Sequence, residues 1–219
     1  MDIIAALDDA RAATNVLDHP FYQRWNSGEL SAPELALYSG EYRHAVVAIA
    51  KVSKEIARAA PEREQAALLA HAQEESDHLE LWDRFAAAAA AAGGVQAPVL
   101  AAPLPETRAC VGAWESGEDL LQRLAVLYCI EAGQPAISRT KLDGLISHYG
   151  YEPDSPALRY FKVHERLDVL HAAQTRELIR RLIARTDAAR AQAELMLSRA
   201  GEALRGNWGL LDGVEAALR

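Results

Sequence analysis

Cysteine is scarce in this sequence. Only Cys110 and Cys129 occur among 219 residues, and they form no CxxC pair. That excludes a disulfide scaffold and the usual redox or zinc motifs built on CxxC. Long apolar runs are absent too: nothing reaches the ~18 unbroken apolar residues of a membrane-spanning helix. The opening MDIIAALDDAR lacks the basic segment that begins a secretory signal. These absences predict a cytoplasmic protein with no membrane partner. Positive charge is in the minority, with 23 Lys and Arg against 31 Asp and Glu, for a net charge of −8. Such a balance argues against nucleic acid as a partner. Strand-like alternation is missing, and the only low-complexity stretch is an alanine run.

Helical patterning is what the chain does have. A chain this long can bury roughly 70% of its unfolded surface, so it needs no staples. Apolar positions at Ile3, Leu7, Ala10 and Leu17 predict a first amphipathic helix, stopped at Asp18-His19-Pro20. Phe21 to Asn26 reads as a short aromatic helix, with His19 as a structural cap. Ser31 followed by Glu34 is a capping box, opening a helix to about Ala59. Pro61 starts the next, which ends in the alanine run and Gly93-Gly94. Residues 93–106 read as a crossover loop. A kinked helix is expected from about Gly117 to His148, bent at Gly133 and Pro135. Ser155 and Pro156 open a helix to about Thr186, and Asp187 a last one to about Arg205. The expectation is a single all-α domain, residues 1–219, of about seven helices.

The chemistry gathers on Phe161–Glu177. His164, Asp168 and His171 stand at i, i+4 and i+7, offsets that share one helix face. Val163, Leu167 and Leu170 lie among them, which predicts an inward face. Glu75 and His78 repeat the E-x-x-H spacing of helical di-iron carboxylate sites. Glu131 follows seven uncharged residues, where a lone carboxylate would destabilise the fold unless a cation met it. Three carboxylates and three imidazoles on three helices suit a dinuclear site, with iron, manganese or zinc all compatible with such ligands. Two divalent ions would bring four positive charges against three negative ones, leaving room for an anionic oxygen ligand. His71, seven residues before His78, reads as lying beside the ligands or at the surface. Glu41 and His44 form a weaker i, i+3 pair.

Across residues 17–180 the sequence resembles the haem-oxygenase-like di-iron oxidases, all-α enzymes that bind no haem. The matching segments are HPFYQRWNSGEL, PELALY, EESDHLELWDRF, LYCIEAGQP, RTKLDGL, HYGY and YFKVHERLDVLH. The family's metal positions fall on the six residues above. The segment between Glu75 and His78 is shorter here, so Glu74 is an alternative to Glu75. The resemblance is strongest to members that make 4-aminobenzoate for folate. It implies O2 as co-substrate, an external reductant, and an enzyme that consumes its own side chain. Tyr22 and Tyr38 match the tyrosines implicated, and Lys141 matches the lysine that supplies nitrogen. Ile130 stands where those relatives carry a further tyrosine. A homodimer is compatible with the fold.

The residues by themselves leave other readings open. Tyr22 and Tyr38 could simply pack a core. Lys141 would by default be a solvated helix residue: ten residues past Glu131 puts it roughly 80° around an ideal helix and some 15 Å along it. It would turn inward only if the kink redirects it. An oxidase acting on an external fatty acid or amino acid would use the same ligands. A metal-free thiaminase-like or pyrroloquinoline-quinone-synthase-like enzyme is a further reading; a thiaminase would need Cys129 as nucleophile, yet Cys129 and Glu131 do not share a face.

Overall fold

The structure, a computed structural model, describes residues 2–95 and 102–217. Among the described residues are nine α-helices and no strand: α1 (Ile3–Ala13), α2 (Pro20–Ser27), α3 (Ala32–Ala59), α4 (Glu62–Ala92), α5 (Pro105–Trp114), α6 (Leu120–Glu131), α7 (Gln134–His148), α8 (Arg159–Ile183) and α9 (Ala189–Ala217). None of these helices is long and apolar enough to cross a membrane.

Local chemistry sets the helix starts. The Ser31 side chain accepts from the Glu34 backbone, and Glu34 reaches back to the Ser31 backbone at 2.7 Å, completing the predicted capping box of α3. His19 caps α2 through Nδ1, which accepts from Phe21 N at 3.0 Å. Its Nε2 lies 3.1 Å from Asp212 on α9, so the cap is also an anchor. Asp119 caps α6 by accepting from Gln122 N at 2.9 Å. Each such cap contributes on the order of 1 kcal/mol.

Nine helices among the described residues stand where about seven are expected, and two places account for the difference. The predicted helix to His148 is really two, because α6 stops at Glu131 and Pro135 fixes a fresh first turn in α7. Pro135 has no N–H to continue the ladder. The other addition is α5, which begins where the expected crossover ends. That crossover, 93–106, lies in part outside the described residues. The last helix also runs past the expected stop at Arg205, to Ala217. Gly206 is not a terminator: a Cβ there would sit 3.1 Å from Cys110 Cα, so the glycine lets α5 and α9 approach closely.

The long helices α3 and α4, joined through Ala60-Pro61, pack along each other as a hairpin. Helix α8 lies against α7, α6 and α4, and α9 backs α5, α6 and α1. Helices α4, α6 and α8 therefore face one interior, and each carries predicted ligands into it. Between α2, α3, α4 and α7 the core is aromatic: Trp25, Tyr38, Trp82 and Phe85 are fully buried.

Candidate metal centre

Helix α4 turns His71, Glu75 and His78 inward, at i, i+4 and i+7. Their exposures are 5%, 3% and 5%. Helix α8 does the same with His164, Asp168 and His171, and α6 delivers Glu131 at its last residue. All six predicted ligands are thus buried in one place. The inward face of α8 is not carried by the apolar neighbours expected, since Leu170 is 59% exposed. Tyr160, Phe161, Thr175 and Leu178 bury that face instead.

Glu75 sits at the centre. Its Oε1 lies 3.4 Å from His78 Nδ1, 3.7 Å from His71 Nε2 and 3.8 Å from His171 Nδ1. Its Oε2 lies 3.9 Å from His164 Nε2. Burial pushes the Glu75 carboxyl up, but His164, His71 and His78 outweigh it and hold the group well below the usual carboxylate range. Asp168 stands 3.6 Å from His171 Nδ1. Glu74, the alternative to Glu75, points outward, and its carboxylate accepts from His171 Nε2 at 3.0 Å. The back nitrogen of His164 is likewise held, with Nδ1 2.8 Å from Tyr160 O. A carboxylate or carbonyl behind an imidazole fixes the ring and its tautomer, as around metal-bound histidines generally.

Two groups of donors emerge. His71, Glu75, Glu131 and His171 offer ligand atoms within 4.8 Å of one another, and so do Glu75, His78 and His164. Several of these atoms are buried with no hydrogen-bond partner: His71 Nε2, His78 Nδ1, His171 Nδ1, Glu131 Oε1 and Asp168 Oδ2. Orphans of this kind cost about 1–3 kcal/mol each in a protein interior. Divalent cations held by these groups would satisfy them, and imidazole with carboxylate suits iron. Electrostatics without a cation agrees. Burial raises Glu131, with His71 pulling the other way. Burial lowers His71, yet Glu131 and Glu75 carry it up to about 10. The pair therefore holds a proton at neutral pH, which a cation would displace.

Lys141 is the largest correction to the sequence reading. It is 1% exposed, not solvated. The break before α7 and the packing of α7 on α2 turn it inward. Trp25 Nε1 donates to Lys141 O at 3.3 Å, and a Cβ on Gly144 would strike the Trp25 ring at 2.5 Å, so only glycine allows this approach. The amine Nζ lies 4.4 Å from the Tyr42 ring centre, 5.3 Å from Tyr38 and 5.8 Å from Tyr22, with Trp82 and Phe161 each at 5.6 Å. Burial alone lowers its pKa to about 7. Tyr22 and Tyr38 bring their hydroxyls to 3.3 Å. Burial raises both phenols well above the ordinary value.

Two residues outside the expected ligand and catalytic set join these groups. Tyr42 is four residues after Tyr38, on the same helix face. It is the ring nearest Lys141 and also lines a cavity of about 20 Å³ with Glu75, Glu131, His164 and Asp168. That is room for about one water-sized ligand. Ile130 is part of the same lining. His71 is the other; its i+4 and i+7 relation to Glu75 and His78 was the available signal. Glu41, in contrast, is engaged elsewhere, accepting from Leu104 N at 3.0 Å.

Comparison with known proteins places this geometry. A 4-aminobenzoate synthase of Chlamydia muridarum is 30% identical over 223 residues, covering 97% of this chain and 89% of that protein. A 4-aminobenzoate synthase of Nitrosomonas europaea is 29% identical, covering 95% and 89%. Among solved structures, a TenA homologue from Pseudomonas syringae superposes with a TM-score of 0.81 at 18% identity, covering 98% and 91%. A haem-oxygenase-like domain from Shewanella denitrificans gives 0.80 at 18%, covering 100% and 94%. These two show the fold. The family described as iron-containing redox enzymes matches residues 41–205. With its all-α haem-oxygenase-like fold and buried histidine–carboxylate cluster, this chain belongs to the iron-containing redox enzymes.

Proposed function

We propose that this enzyme makes 4-aminobenzoate by O2-dependent oxidation of one of its own tyrosine side chains, with Lys141 giving the nitrogen. The observation that carries this reading is the position of the Lys141 amine, sealed among Tyr22, Tyr38 and Tyr42. A tyrosine side chain contains all the carbons of the product. Forming it requires cleavage of the Cα–Cβ bond, oxidation of Cβ to carboxylate and exchange of the phenol oxygen for nitrogen. Two iron ions, or iron with manganese, held by Glu75, His78, Glu131, His164, Asp168 and His171, would supply O2 activation and the oxidising power.

The chain's own residues supply the rest. A lysine pKa of about 7 leaves about half of the amine neutral, and hence nucleophilic, at neutral pH. Trp82 and Phe161 close the cage against water. Burial keeps the phenols of Tyr22 and Tyr38 protonated, and their 3.3 Å contact lets one hydroxyl donate a hydrogen bond to the oxygen of the other. The metal-free thiaminase-like alternative is disfavoured. Cys129 is 2% exposed, its thiol is pushed up to about 12 by burial, and it faces the Leu7 carbonyl at 3.9 Å.

Intact-protein mass spectrometry before and after iron(II), reductant and O2 tests the proposal. The expected result is loss of one tyrosine side chain in proportion to the 4-aminobenzoate formed. In Lys141→Arg, which keeps the charge but has no transferable primary amine, O2 consumption should persist and the product vanish. A second reading, an oxidase acting on an external molecule, is favoured by one feature. A cavity of about 430 Å³ between α4 and α8 reaches His71 and Thr175. Unchanged protein mass during turnover would select it.

A further inference from the structure

His71 lies outside the six-residue ligand set, yet its geometry is that of a ligand. Nε2 is 2.8 Å from Glu131 Oε1 and 3.7 Å from Glu75 Oε1. Despite the short distance to Glu131, neither Nε2 nor Oε1 makes an aligned hydrogen bond. Both atoms are therefore aimed at the same small volume, and become lone-pair donors to a cation once the proton between them is displaced. The ring lies face to face with His171, centroids 3.9 Å apart and planes 30° apart, so the two imidazoles approach Glu75 Oε1 side by side. Donors bound to one ion at ~2.1 Å sit between about 3 and 4.2 Å from each other. The separations of 3.7 and 3.8 Å to Glu75 fall within that range, and 2.8 Å to Glu131 lies just below it, so a bound ion would spread that pair slightly.

We infer that His71 is a metal ligand, so that this centre has four imidazoles, paired as His71 with His171 and His78 with His164, and Glu75 shared between the pairs. The inference rests on the metal-centre reading above and extends it. Glu131 completes the first pair, and Asp168, beside His171 and lining the same small cavity as His164, is available to either. Each ion then meets two neutral nitrogens. The centre gains a donor without gaining negative charge, which preserves the net positive charge of two divalent ions against Glu75, Glu131 and Asp168. The cavity that reaches His71 from between α4 and α8 gives ions and solvent access to this end of the cluster.

Anaerobic titration of the metal-free full-length protein with iron(II) alone tests this, read as equivalents bound and as the rise in unfolding temperature. Wild type should take up two equivalents. His71→Ala and His71→Gln should each keep one, with the other weakened by at least about a hundredfold, beyond what loss of a mere hydrogen-bond partner costs. Gln is the discriminating substitution, because its amide can still hydrogen-bond Glu131 but is a poor iron ligand. His71→Glu, which restores a donor at that position, should recover the second equivalent. Far-UV circular dichroism of each metal-free variant reports whether the fold is kept. Two equivalents in His71→Gln at wild-type affinity would overturn the inference and leave the metal-centre reading standing. Fewer than two equivalents in wild type would overturn both.

Discussion

Replacing Lys141 by Met should make the metal-free protein more stable, and the size of the gain can be worked out. The amine is fully buried, and burial takes its pKa from 10.5 to about 7. At 1.36 kcal/mol per unit, holding that group folded at pH 7 costs about 4 kcal/mol relative to the unfolded chain. Five aromatic rings within 4.4–5.8 Å of Nζ oppose this. Desolvated cation–π contact returns about 2 kcal/mol. Met is similar in length and shape, so repacking adds little. The expected gain is therefore about 1–3 kcal/mol at pH 7, or roughly 2–12 °C in Tm for a chain of this size. The pH dependence is a sharper signature. Between the folded value near 7 and the unfolded value of 10.5, the unfolded chain binds more protons than the folded one. Wild-type stability must rise with pH across that window. Below about pH 7 the amine is charged in both states and the full cost applies. The gap between Lys141→Met and wild type should thus be widest near pH 6 and close as pH approaches 10. Urea denaturation of both metal-free proteins at a series of pH values measures it directly. A variant less stable than wild type at pH 7, or a gap that does not shrink with pH, would refute the reasoning.

Three further outcomes follow from the same geometry. Glu75→Gln removes the carboxylate common to both donor groups, so iron(II) uptake should fall below one equivalent. It should also cost about 3–5 kcal/mol in the metal-free protein at pH 7, as when one partner of a buried charge pair is lost. Because the folded Glu75 carboxyl is held low, that difference should be present above about pH 4.5 and fade as pH falls below it. Gly144→Ala places a methyl 2.5 Å from the buried Trp25 ring. Overpacking costs about 1–3 kcal/mol, and the gain in helix propensity returns about 1 kcal/mol. Calorimetry should show a modest loss, accompanied by a fall in 4-aminobenzoate yield as Lys141 is displaced. Cys129→Ala should leave both iron uptake and product yield intact, with a stability loss of about 1 kcal/mol; abolished product would revive a thiol nucleophile.

The ligand helices were legible in the sequence because a helix is a ruler. His164, Asp168 and His171 are fixed to one face by spacing alone, and Glu75 with His78 by the same rule. His71 obeyed that rule too. Spacing puts it on the face of His78 but leaves it either beside the ligands or at the surface, and spacing does not say which of two adjacent carboxylates faces in. The structure separates them by burial: Glu75 is 3% exposed, whereas the Glu74 side chain is 48% exposed. Lys141 shows where the ruler fails. Counting from Glu131 along one ideal helix places the amine to the side and far up the axis, but the chain changes direction at Ala132-Gly133. Beyond that break the phase is set by tertiary contact, here by Trp25 seated on Gly144 and bonded to the Lys141 carbonyl. No local pattern encodes that contact, since the partners are 116 residues apart. A lysine placed there by packing, at a cost of several kcal/mol, is hard to account for by stability. Burial favours its uncharged form, and an uncharged primary amine beside three tyrosines is what the proposed nitrogen transfer to a phenol-derived ring would require.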